Sequence, residues 1–184
     1  MTNITTAQTV SDGDIGKQGY FNGLFNACKI AAVYASTGFN ATRTSAATGT
    51  ASASYEFSAL SSSVTALGAN YLVIRATVTG VSTNNYNVGD HTIGYAELKI
   101  ESKPVGGAYA TDKTINLHSI GTVTNGSLSS TFTVEWVHTL TASEKSSGVQ
   151  IKLTGNAQTT LQSGSGTNAT GTITNVQTSI YLVN

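Results

Sequence analysis

The sequence predicts an all-β fold, an antiparallel jelly-roll-like β-sandwich of about eight strands, with an N-terminal arm and a short helix ahead of it. Three observations predict it. Apolar and polar residues alternate through several stretches, most cleanly in Ser130–Leu140. There Phe132, Val134, Trp136, His138 and Leu140 share one side of an extended chain, and Thr131, Thr133, Glu135, Val137 and Thr139 share the other. Stretches rich in Gly, Asn and Ser separate such segments at short intervals. Finally, the second half of the chain carries no long helical pattern, and no fixed period suggests a solenoid or propeller.

Taken in order, Met1–Ser11 is polar and Thr-rich and reads as an extended arm. Phe21, Leu24, Phe25 and Cys28 then follow helical spacing, with Ser11, Asp12 or Asp14 able to cap the start. Gly16, Gly19 and Gly23 weaken this helix, so it is expected to form only when packed on the body of the protein or on a neighbour. Residues 1–28 are therefore read as an attachment or oligomerisation segment and residues 29–184 as the sandwich domain.

Lys29–Ser36 is a short candidate strand. The low-complexity Thr37–Ser54 stretch reads as a loop and Tyr55–Leu60 as a weak strand. Asn70–Gly80 is a strong strand, with Leu72, Ile74, Ala76 and Val78 on one face, and Val81–Asp90 reads as a turn-rich loop. Thr92–Lys103 sets Gly94, Ala96, Leu98 and Ile100 against Tyr95, Glu97, Lys99 and Glu101, and ends at Pro104 and the pair Gly106-Gly107. Tyr109–Ile120, Ser130–Leu140, Val149–Thr154 and Thr170–Val183 complete the strands, with loops expected at Thr141–Gly148 and Asn156–Asn168.

Composition narrows the function. Only 10% of residues are charged and formal net charge is zero, against ~25% charged in an ordinary soluble domain. Such a surface is either hidden in an assembly or solvated by hydroxyls and amides. The scattered Lys and Arg residues argue against nucleic-acid binding, which needs clustered cations. No apolar stretch is long enough for membrane insertion. Met1–Val10 lacks a secretory pattern, so synthesis and folding in the cytoplasm are expected. The single cysteine, Cys28, rules out an internal disulfide framework and reads as a small buried hydrophobe.

Catalytic, cofactor and metal sites are not expected. His91, His118 and His138 have no metal-ligand spacing, and His138 reads as a packed strand-end histidine. Asp12-Gly13-Asp14 lacks the remaining ligands of a calcium loop and reads as a helix cap. Gly164-Ser165-Gly166 lacks the strand–turn–helix setting of a nucleophile elbow. Asp112, Glu135 and Glu144 form no paired-carboxylate motif.

Two regions carry a resemblance. The segment Val10–Phe25, with Asp12-Gly13-Asp14-Ile15 followed by Tyr20-Phe21-Asn22 and Leu24-Phe25, and the β body Asn70–Val183, with Thr133-Val134-Glu135-Trp136-Val137-His138, resemble virion structural proteins of tailed bacteriophages: head fibres, capsid decoration proteins and short tail-fibre modules. The resemblance implies a non-enzymatic jelly-roll subunit in the virion, made in the host cytoplasm. It implies homotrimers and contacts with other virion proteins. Phe21, Leu24 and Phe25 are the attachment candidates on this reading.

Two other readings stand beside it. One is a carbohydrate-binding or receptor-binding module, with Tyr71, Tyr86, Tyr95 and Tyr109 as candidates for contact with a host-surface glycan. The other is a self-assembling extracellular filament subunit whose arm, Thr2–Val10, donates a strand to a neighbour's sheet.

Overall fold

A computed structural model describes residues 30–36, 38–61, 64, 68–87, 90–118 and 126–183. The expected arm and helix, with Phe21, Leu24, Phe25 and Cys28, lie outside the described residues. Within them the fold is all-β and antiparallel. The strands are β1 (Ile30–Ser36), β2 (Ala41–Ser45), β3 (Gly49–Glu56), β4 (Tyr71–Asn87), β5 (Asp90–Pro104), β6 (Ala110–His118), β7 (Gly126–Thr139), β8 (Val149–Ser163) and β9 (Ala169–Val183). One short helix, α1 (Ala142–Ser147), follows β7.

The pairing is nested: β2 with β9, β3 with β8, β4 with β7 and β5 with β6. The chain is thus one long antiparallel ribbon, doubled back at β5–β6. Pairing of β9 with β4 and of β8 with β5 rolls the ribbon into two four-stranded sheets, β2–β9–β4–β7 and β3–β8–β5–β6. That is the double-sheet jelly roll. β1 extends the first sheet's edge beside the later half of β9, and β2 lies beside its earlier half. The β4–β5 hairpin, Asn84–Asn87 against Asp90–Ile93, links the two sheets at one end.

Alternation places the core between them. Leu72, Ile74, Ala76 and Val78 of β4 and Ala96, Leu98 and Ile100 of β5 are buried, as are Val149, Ile151 and Leu153 of β8 and Ile173, Ile180 and Leu182 of β9. Each strand turns its other side chains outward, so the sandwich has two outer faces. Where the sheets meet most closely, glycine is required: a Cβ on Gly94 would strike the Thr170 carbonyl, and one on Gly171 would strike the Tyr95 carbonyl. Backbone replaces side chain as the packing unit there.

A bulge in β9 explains an apparent break in its pattern. Ala169, Gly171 and Ile173 face inward, and then Val176, Thr178, Ile180 and Leu182 do. The parity flips because β9 carries one extra residue opposite Thr77–Thr79 of β4. Asn175, with φ of 54°, accommodates the irregularity, and its N–H donates to Asn40 Oδ1 at 3.1 Å. The neighbouring edge strand breaks at the same level, between Ser36 and Ala41.

Several expectations need correction. Thr37–Ser54 is largely strand: β2 and most of β3 fall in it. Their inward apolar residues are small, Ala41, Ala51 and Ala53, and β2 also turns Arg43 inward, its Nε donating to the Thr159 hydroxyl at 2.9 Å, so alternation exists without a strong hydrophobic signal. The strand expected at Tyr55–Leu60 ends at Glu56; Phe57 and Leu60 lie beyond it and still plug the core. The loop expected at Val81–Asp90 is mostly hairpin, because β4 runs to Asn87 and β5 begins at Asp90. β8 continues to Ser163 through the expected Asn156–Asn168 loop, since Ala157 and Thr159 still face inward. Thr141–Gly148 contains α1. The turn at Pro104 forms as expected, with Gly107 N–H donating to the Pro104 carbonyl at 2.9 Å and Gly106 at φ of 82°.

Candidate functional site

Three titratable side chains meet at the open side of the sandwich, two of them six residues apart and the third distant in sequence. His138 comes from β7 in one sheet, Asp112 from β6 in the other, and Glu144 from α1. Helix formation sets Glu144 in place: Thr141 caps the helix, its hydroxyl accepting from the Glu144 N–H at 3.2 Å. Reciprocally, Glu144 Oε2 accepts from the Thr141 N–H at 2.8 Å and from the Thr141 hydroxyl at 2.9 Å. This is a capping box. The same carboxylate meets His138 Nε2 at 2.9 Å, while His138 Nδ1 lies 3.5 Å from Asp112 Oδ2.

Glu144 is 2% exposed. Burial pushes its carboxyl up, but the Thr141 backbone N–H, the His138 and Thr141 side-chain bonds and the His138 charge together outweigh that and hold it below 4.5. The acid thus stays ionised and bonded. Glu144 and His138 join strand and helix, while Asp112 Oδ2, from the opposite sheet, approaches without a hydrogen bond; among the described residues no set of His, Cys, Asp and Glu has metal-holding geometry. Sequence reasoning missed the arrangement. Thr141-x-x-Glu144 after a strand is a legible capping box, but the approach of Asp112 depends on the fold.

The two outer faces differ sharply. On β3–β8–β5–β6, charge and amide groups satisfy one another across strands. Lys152 pairs with Glu101 at 3.1 Å, the Thr154 hydroxyl donates to Glu101 at 3.1 Å, and Asn156 Nδ2 donates to Glu97 at 2.6 Å. Ser52 donates to Asn156 Oδ1 at 2.7 Å. Tyr109 lies between Lys103 and Lys152, each ammonium 4.3 Å from the ring centre. Burial raises its phenol, with Glu56 and Glu101 adding to the rise. These charged and amide groups are matched across strands, whereas the Tyr109 hydroxyl has no hydrogen-bond partner.

On the other sheet, the outward residues of β4 are Tyr71, Val73, Arg75, Thr77 and Thr79, and those of β7 are Thr131, Thr133, Glu135, Val137 and Thr139. β9 adds Gln177, Ser179, Tyr181 and Val183. Arg75 and Glu135 are the charges in this set and are cross-strand neighbours. Neither makes an ion pair with another described residue. One end of the face is apolar: Val137 sits beside Val73, Val73 beside Tyr181, and Tyr71 beside Val183. Val137 is 50% and Tyr71 43% exposed.

The expected glycan-contact tyrosines do not converge. Tyr71 stands on this second face, whereas Tyr95 and Tyr109 belong to the charged one. Tyr86 lies in the β4–β5 hairpin, its backbone paired with His91.

No protein-family model and no curated protein matches the sequence. Among solved structures, the chain is similar to one described as the structure of infectious bursal disease virus, Gx strain, at a TM-score of 0.38 and 11% identity over 85% of this chain. It is also similar to the infectious bursal disease virus VP2 subviral particle, at a TM-score of 0.26 and 12% identity over 84% of this chain. The chain spans 38% and 41% of the length of those two chains.

Proposed function

We propose that this protein is a structural, non-enzymatic virion subunit: a jelly roll that assembles with copies of itself and with other virion proteins. The observation that carries the reading is the contrast between the outer faces. One is charged, with bonds between its own strands. Among the described residues the other bears one cation, one anion, a field of Thr, and exposed Val137 and Tyr71. A surface so poor in charge suits contact with protein better than exposure to water.

A head fibre, capsid decoration or short tail-fibre subunit, trimeric and attached through Phe21, Leu24 and Phe25, is the finer form of the proposal. It rests on the resemblance of Val10–Phe25 and the β body. The bonds of Glu144 to His138 and Thr141 fit a body whose strand end and helix hold together in an assembly.

Density-gradient sedimentation of particles from cells producing the tagged full chain tests it. The chain is expected to band with the particles at constant ratio after a second gradient. A chain that stays at the top of the gradient overturns the virion assignment.

A further inference from the structure

The outer face of β4 and β7 is complementary to itself. Strand register puts Val73 beside Val137, Arg75 beside Glu135, Thr77 beside Thr133 and Thr79 beside Thr131. A line along the strands, midway between β4 and β7, divides this face into halves that match row by row. Apolar lies beside apolar, hydroxyl beside hydroxyl and cation beside anion. Arg75 and Glu135 are both exposed, and neither forms an ion pair with another described residue. Glu101 and Glu97 of the opposite sheet, by contrast, are already bonded to Lys152 and Asn156 within the chain.

This pattern selects its occupant. An isologous contact places residue i on residue j and j on i. Two copies facing each other about a two-fold axis on that line therefore set β4 of one over β7 of the other, level with level. Arg75 meets the second copy's Glu135, and Glu135 meets its Arg75. Val137, 50% exposed, is covered by the second copy's Val73. Thr77 and Thr133 meet in the same reciprocal way. Strands of the two copies then run in nearly the same direction, the aligned packing of sheet on sheet at about 10 Å. An axis across the strands at the level of Arg75 instead stacks β4 on β4 and sets Arg75 against Arg75. Charge thus fixes the orientation, because like charges in a contact are repelled.

We infer that the β4–β7 outer face binds the same face of a second copy about a two-fold axis, Arg75 of each chain pairing with Glu135 of the other. The inference rests on the assembly reading for the presence of a second copy, and adds the surface and the symmetry of one contact. Such a contact doubles whatever unit the other surfaces build.

Charge exchange, read by sedimentation velocity of the full chain, tests it. Arg75→Glu leaves two anions on the face, and Glu135→Arg leaves two cations. Each variant alone is expected to sediment at half the wild-type mass, its self-association weakened about a hundredfold by like charges in contact. Mixed in equal amounts, the two are expected to recover the wild-type mass, since every contact between them joins an anion to a cation. Mixing leaves the like charges within each chain in place, so recovery reads the contact between chains alone. Folded variants that keep the wild-type mass, or that stay at half mass when mixed, overturn the inference and leave the assembly reading standing. A wild-type chain that is a folded monomer at every concentration overturns both. Reversals that leave the mass unchanged but release the chain from particles assign the face to another virion protein. Reversals that only speed trypsin cleavage at Lys17 and Lys29 assign it to residues 1–28. Either result overturns the inference. Should a reversal unfold the chain, Thr77→Lys and Thr133→Glu read the same contact at exposed positions one row along. Their mixture is expected to associate more tightly than either alone, and equal association overturns the inference.

Discussion

His138 Nε2 lies 2.9 Å from Glu144 Oε2, and the same oxygen accepts from the Thr141 backbone N–H at 2.8 Å. One buried carboxylate atom thereby ties the end of β7 to the first turn of α1. Asp112, from the other sheet, lies on the far side of the imidazole, its Oδ2 3.5 Å from Nδ1 and without a hydrogen bond.

Removing that carboxylate leaves Thr141 without its partner and His138 facing Asp112 alone. Glu144→Ala is expected to cost about 3 kcal/mol, about 1 for the lost capping bonds and about 2 for the buried hydrogen bond between the carboxylate and His138. Urea unfolding of the two proteins measures it. A midpoint unchanged from wild type would show that α1 and β7 are held by other contacts.

The same group sets a pH dependence. Its folded carboxyl lies below 4.5, so it contributes stability that is present above that value and lost as pH falls through the folded value. Wild-type stability is expected to drop as pH falls from the ordinary carboxylate range through the lower folded value, while Glu144→Gln, which cannot ionise, shows a shallower drop. Denaturant titrations across this window check the slope. An equal slope in both proteins would remove Glu144 from the acid transition.

At the β9 bulge, Asn175 occupies a left-handed conformation that a β-branched residue resists. Asn175→Val is expected to destabilise the fold by about 1–2 kcal/mol. Asn175→Gly is expected to change stability by less than about 1 kcal/mol. Thermal unfolding of both variants checks the order. If Val proved the milder change, the bulge would not depend on this conformation.

Gly94 faces the Thr170 carbonyl across the sandwich with no room for a methyl group. Gly94→Ala is expected to cost about 3 kcal/mol, because backbone of two sheets must part. Gly68, whose Cβ position meets nothing within 4 Å, is a comparison site where strain comes from φ alone. Chemical denaturation that ranks Gly94→Ala no worse than Gly68→Ala would contradict the close approach of the sheets.

Much of this architecture was legible before the structure, and the exceptions share a cause. The strands of β4, β5, β7 and β9 announce themselves because their inward residues are large: Leu72 and Ile74, Leu98 and Ile100, Phe132 and Trp136, Ile180 and Leu182. β2 and β3 do not, because edge positions need only Ala41, Ala51 and Ala53 to cover the core. The later half of β8 was hidden likewise, with Gly155 meeting Ile173 and Phe39 so closely that a side chain would not fit. Trp136 packs against the core as its parity suggests, and Lys113 lies 5.6 Å over its ring. His138 was placed on the correct face, but its partners were not readable. Glu144 needed a helix inside an expected loop, and Asp112 needed the roll of the two sheets. The apolar patch was equally hidden, since Val137 and Tyr71 become neighbours of Val73 and Val183 only through strand register.

Sedimentation velocity of the purified full chain over a wide concentration range tests the central claim, that this jelly roll is a subunit of an assembly. The account predicts a discrete species of several chains that persists on dilution, and a Val137→Glu variant that remains folded by circular dichroism. A wild-type protein that sediments as a folded monomer at every concentration would contradict it.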